Sequence, residues 1–163
     1  MGLDVISYQT AQLTEDHPRR KGCYDLDHLY HDESPEFPLS SLGLEPGRCY
    51  VCSGATVEFR AGSYSGYSRW RSLLCELALE ISPHVIWESP EAWKESPFFE
   101  LINFTDCDGK IGPLAAASLY DDFSRNRGNI PVHDPRLDWF VSLYDTWTKA
   151  FATAANDGLV LFC

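Results

Sequence analysis

Apolar and polar positions alternate along GLDVISY, residues 2–8, which predicts a strand with one covered face. The stretch from Thr14 to Lys21 is charged, and from Cys23 to Pro46 the chain is polar, with Pro35, Pro38 and Pro46 and few periodic apolar residues. Residues 14–46 are therefore expected to form an irregular, inserted segment. RCYVCSG and ATVEFRAG read as two short strands joined at a Ser53-Gly54 turn, a hairpin. Trp70, Leu73, Leu74, Leu77, Ala78 and Ile81 then recur at the spacing of one helix face, with Pro83 as the stop. PHVIWESPEAWKESPFF has three prolines and no sustained period, and reads as a loop laid over the body of the protein.

ELINF, residues 100–104, is a strand candidate, and TDCDGKIGP is a turn leading into a helix over Pro113 to Asn126, where proline suits the first helical turn. A last helix starts near Asp134-Pro135 with the aspartate as N-cap, its inner face marked by Leu137, Phe140, Val141, Tyr144, Thr148 and Phe151. Asn156-Asp157-Gly158 stops it, and LVLFC closes as a buried strand. Strands and helices mix without βαβ alternation, which predicts one α+β domain over 1–163: a small, mostly antiparallel sheet packed with about three helices. Trp70, Leu74, Leu77, Phe140, Tyr144 and Phe151 are expected to share its core.

Composition supports a folded chain: 44% of the 163 residues are hydrophobic and 13% aromatic, too many for a disordered one. Charge narrows the partners. With 24 acidic and 13 basic residues the net charge is -11, so nucleic acid is not an expected partner. The acids are scattered among apolar residues and form no polar stripe that would imitate DNA. The opening MGLDVISYQT has no basic n-region or long apolar run, and no window is apolar enough to span a membrane, so the expected location is the cytoplasm.

Six cysteines, Cys23, Cys49, Cys52, Cys75, Cys107 and Cys163, are expected as unpaired thiols in that compartment. Cys49 and Cys52 form a C-x-x-C that, with Cys23, His28 and His31, suggests zinc. In a strand, however, residues three apart point to opposite faces, so no bound metal and no cofactor is expected.

Two loops carry candidate chemistry. Gly62, Ser63, Tyr64, Ser65 and Gly66 stand before the long helix, whose first N–H groups favour an anion, and Arg60, Arg69 and Arg71 reverse the global charge locally. A tight turn with a serine cap and arginines paired to carboxylates accounts for the same residues. In the second loop, Asp106, Asp108 and Gly109 resemble the middle of a calcium loop, but Phe104 and Ala115 occupy its end-ligand positions, which excludes an EF-hand. A looser divalent site with Glu100, or a solvated turn, remains open.

MGLDV, EFRAGSYSGYSRWR and FFELINFTDCDGKIGP with Asp122-Phe123 cover about a quarter of the chain. On these blocks the sequence resembles a family of small, uncharacterised bacterial and phage proteins. That resemblance implies an association with phages or mobile elements and assigns no residue a role.

The leading expectation is a binding protein for a small anionic, nucleotide-like ligand. Its pocket would lie between the Gly/Ser turn and the ELINF-TDCDG loop, built from Arg60, Gly62, Ser63, Tyr64, Ser65, Gly66, Tyr67, Arg69, Asn103 and Asp106 and roofed by Trp87 and Trp93. A phage protein of this kind could sequester a host defence signal. One alternative is a hydrolase of a phosphate-containing substrate with Glu100, Asp106 and Asp108 as metal ligands or as an acid/base pair. Another is an acidic inhibitor that binds a protein.

Overall fold

The computed structural model describes residues 2–15, 28–33, 36–131 and 133–163, with the His28 side chain excepted. The expectations for Cys23, and for much of the 14–46 segment, lie outside these residues. The fold is α+β, as the sequence predicts. Among the described residues five strands form one antiparallel sheet: β1 (Gly2–Thr14), β2 (His28–Tyr30), β3 (Cys49–Ser63), β4 (Gly109–Ile111) and β5 (Leu159–Phe162), in the order β2-β3-β1-β5-β4. Six helices of the described residues accompany it: α1 (Tyr64–Leu79), α2 (Pro83–Glu88), α3 (Pro90–Trp93), α4 (Phe99–Ile102), α5 (Pro113–Asn126) and α6 (Asp138–Ala154). Short 3-10 turns at Arg127–Asn129 and Pro135–Leu137 link α5 to α6.

The main core lies where α1, α5 and α6 meet one face of the sheet. It holds Leu3, Val5 and Phe162 from the strands and Trp70, Leu74, Phe123, Phe140, Tyr144, Trp147 and Phe151 from the helices. Tyr8, Leu44, Tyr50, Cys52, Leu159 and Leu161 form a smaller cluster. Ser7 ties the layers together: its buried hydroxyl donates to the Ala150 carbonyl of α6 at 2.6 Å. Ser7→Ala is expected to lower stability by about 0.5–1.5 kcal/mol, read as a lower urea midpoint at unchanged slope.

Four local expectations are corrected. The hairpin at Ser53-Gly54 does not form; β3 runs straight through and bulges there. Thr10 of β1 faces Ser53 and Tyr8 faces Thr56, so Gln9 alone opposes Gly54 and Ala55. Gly54 supplies the positive φ of 86° that the bulge needs, and Gln9 Oε1 accepts from the Ala55 N–H at 3.0 Å.

ELINF is not a strand. Phe98, Phe99, Leu101 and Ile102 are all buried, a pattern that a helical turn satisfies and an alternating strand cannot. The PHVIWESPEAW stretch is helical, because Pro83 and Pro90 occupy the first positions of α2 and α3, where a missing N–H costs nothing. Finally, the buried stripe of α1 is rotated: Tyr67, Trp70, Arg71, Leu74 and Cys75 point inward, while Leu77 is only half-buried against the core.

Candidate functional site

β3 ends at Ser63 and α1 begins at Tyr64, with Gly62 at φ 123°, a conformation that L side chains rarely adopt. Ser63 is the N-cap; its Oγ accepts from the Gly66 N–H at 3.1 Å and lies 3.2 Å from Ser65 Oγ. The two serines are exposed and hold the turn together, while Tyr64 and Gly66 are half-buried. Arg60 forms an exposed ion pair with Asp4 on the sheet, at 3.8 Å. Arg69 stacks over Trp139, 5.7 Å from the ring centre, in a groove between α1 and the start of α6.

Four residues further along α1 from Tyr67 comes Arg71, on the same helix face. Both are buried. The Arg71 guanidinium lies 5.1 Å from the Tyr67 ring centre and 5.4 Å from that of Trp87, sandwiched by aromatic faces. Its Nη1 donates to the Phe104 carbonyl, and Trp87 Nε1 donates to the Ile102 carbonyl at 3.0 Å. The α4 turn and the loop after it are thereby fastened to α1. Two polar atoms in this junction have no partner among the described residues: Arg71 Nε and the Tyr67 hydroxyl. Burial pushes the Tyr67 hydroxyl far above its ordinary pKa; the Arg71 charge opposes that rise and Asp106 adds to it.

The structure thus brings Tyr67 and Trp87 together around Arg71, with Asp106 near enough to act on the Tyr67 hydroxyl. Trp93 packs half-buried against the main core. Asn103 lines a neighbouring cleft of about 150 Å³ with Phe37, Phe99 and Pro90. The sequence-based site did not include the Phe104 carbonyl, and it treated Arg71 only as a nearby charge. Its i, i+4 spacing from Tyr67 was the available signal.

A cleft of about 110 Å³ is walled by His31, Phe37, Ser41, Phe104, Asp108 and Lys110. His31 is buried and its Nε2 has no partner among the described residues. Burial lowers its pKa below the ordinary 6.5, Lys110 lowers it further, and Asp32 opposes them. A histidine held neutral in the fold takes up its proton more readily when unfolded. Stability is therefore expected to fall as pH drops through about 6.5, and His31→Gln should flatten that part of the profile in urea titrations at stepped pH.

The carboxylates of the hydrolase alternative are dispersed. Asp106 acts on Tyr67, Asp108 lines the His31 cleft, and Glu100 is hydrogen-bonded to Ser118, its pKa raised by burial and by Asp122. Among the described residues no three His, Cys, Asp or Glu side chains are grouped to hold a metal ion. Cys49, Cys75, Cys107 and Cys163 are free thiols, and burial raises the Cys75 pKa to about 11. No helix of the described residues is long and apolar enough to cross a membrane.

No protein-family model, curated protein or solved structure matches this chain.

Proposed function

We propose that this protein binds a small anionic, nucleotide-like ligand at the junction of α1 with the 103–108 loop, with Arg71 as the anion contact. The observation that carries this reading is the pair of donors without a partner among the described residues, Arg71 Nε and the Tyr67 hydroxyl, on one helix face beside aromatic rings. A buried donor without an acceptor costs about 1–3 kcal/mol, more when charged, and a phosphate or carboxylate oxygen would offset that cost. Trp87, partly exposed over the guanidinium, offers a face on which a base can stack. The resemblance to phage proteins makes sequestration of a host signalling nucleotide the biological form of this proposal.

Calorimetric titration with nucleotides and cyclic nucleotides, with and without EDTA, tests it. Arg71→Met is expected to weaken binding by about 1.5–3 kcal/mol and Tyr67→Phe by about 0.5–1.5 kcal/mol, with EDTA neutral and added salt weakening the complex. Arg60→Ala and Arg69→Ala locate the anion: a loss confined to these two moves it to the Ser63 turn. Absence of any nucleotide binding refutes the reading, and abolition by EDTA favours the carboxylate-metal alternative.

A further inference from the structure

Among the described residues the outer edge of β3 is covered along only part of its length. Beyond β3, among the described residues, lies only β2, and it pairs with Cys49–Val51 alone. From Thr56 to Arg60 the strand is held on one side by β1, in the register Asp4–Arg60, Val5–Phe59, Ile6–Glu58, Ser7–Val57 and Tyr8–Thr56.

The direction of each backbone group follows from β5. Asp4 exchanges both backbone hydrogen bonds with Cys163, at 2.9 Å each, so Asp4, and with it Ile6 and Tyr8, turns its N–H and C=O toward β5. Val5 and Ser7 turn theirs toward β3, where Phe59 and Val57 meet them. Thr56, Glu58 and Arg60 are left with N–H and C=O groups aimed outward.

Side chains add a second pattern. Glu58 and Arg60 are exposed on one face, while Val57 and Phe59 are half-buried on the other, Phe59 edge-on to Trp147 at 4.9 Å. Placing a second copy antiparallel, with Phe59 opposite the copy's Phe59, sets Glu58 opposite Arg60 and Arg60 opposite Glu58. All four of these residues carry outward backbone groups, so the register that pairs the charges also closes the hydrogen bonds. A slip by one residue would oppose outward to inward backbone groups, and a slip by two would lose both charge pairs and set Glu58 or Arg60 opposite its own copy.

We infer that two copies of this chain associate through the β3 edges about a two-fold axis at Phe59, joining their sheets into one. The contact is small and opposes two chains of charge -11, so association is expected to be weak and visible only at high protein concentration.

Sedimentation equilibrium over a concentration series should show the 18.4 kDa chain passing to twice that mass. E58R and R60E each set like charges opposite one another and should weaken the dimer at least tenfold, while E58R/R60E restores the pairing and with it the dimer. The wild-type chain supplies a readout independent of any variant's folding. Amide exchange of Glu58 and Arg60 should slow with concentration, while Val57 and Phe59 stay protected at every concentration.

A monomer throughout would overturn the inference. So would a dimer that the double variant does not restore, or protection of Glu58 and Arg60 that does not depend on concentration.

Discussion

Trp147→Ala is expected to be among the most damaging single substitutions in this protein, costing about 3–5 kcal/mol. The indole is fully buried where three layers meet. Its ring centre lies 4.9 Å from Phe59 of β3, 6.0 Å from Tyr67 and from Trp70 of α1, 5.3 Å from Phe151 of α6 and 5.5 Å from Phe162 of β5. Removing it opens a cavity walled by rings on separate elements, and rings fixed by their own backbones collapse poorly into such a space. At roughly 2–4 °C per kcal/mol for a chain of this size, the melting midpoint should fall by about 6–20 °C.

Trp147→Phe provides the control. The Trp147 Nε1 is buried without a partner among the described residues, so phenylalanine removes an unsatisfied donor while keeping most of the aromatic packing. Its loss should be less than half that of alanine. Equal losses in the two variants would show that the indole's full volume, and not the ring cluster as such, carries the stability.

Trp147 also marks what the sequence could and could not say. The period of α6 places both Trp147 and Thr148 within reach of a stripe through Phe140 and Tyr144, since one follows at i+3 and the other at i+4 from Tyr144. Only the sheet beneath the helix decides between them, and it takes Trp147. The rotation of α1 has a different cause. Arg71 reads as an outward residue because burying a lone guanidinium is costly, yet it is covered once the Phe104 carbonyl and two aromatic faces meet it.

Two of those partners, Trp87 and Phe104, lie 16 and 33 residues from Arg71 in sequence, beyond the reach of local pattern. The bulge at Gly54 was read as a turn because both need a glycine at positive φ, and the unbroken partner strand β1 is what separates the two. Where local chemistry sufficed, the reading was accurate: α5 spans Pro113–Asn126, Asp134 caps the turn before α6 by accepting from the Arg136 N–H, and β5 is buried throughout. The candidate site follows the same division. Tyr67 after the Gly/Ser turn, Asp106 in the second loop and Trp87 in the segment over them are legible as aromatic and acidic residues, whereas the buried cation between Tyr67 and Trp87 is not.

Gly158→Ala is expected to cost about 3 kcal/mol or more, at the upper end of the range for overpacking. Gly158 follows α6 and leads into β5, and it is buried between the two layers. A Cβ there would stand 2.0 Å from the Tyr8 carbonyl oxygen, 2.8 Å from the Ala154 Cα and 3.0 Å from the Gln9 carbonyl oxygen. All three are backbone atoms, so no side-chain rotation relieves the clash; α6 must lift from β1 or β5 must shift its register. The Gly158 N–H donates to the Ala154 carbonyl at 3.1 Å, and the neighbouring Asp157 carbonyl accepts from the Ala11 N–H at 2.7 Å, so a shift would strain both hydrogen bonds.

Gly128→Ala serves as the reference, because nothing lies within 4 Å of its added Cβ, and its midpoint should stay within about 0.5 kcal/mol of wild type. Denaturant titrations of both variants decide the matter. A Gly158→Ala protein as stable as Gly128→Ala would mean that α6 does not press on the β1 backbone at this junction. A large loss for Gly158→Ala alone places the closure of the sheet under α6, the same packing that holds Trp147 over β3 and β5 and keeps Tyr67 and Arg71 facing the candidate site.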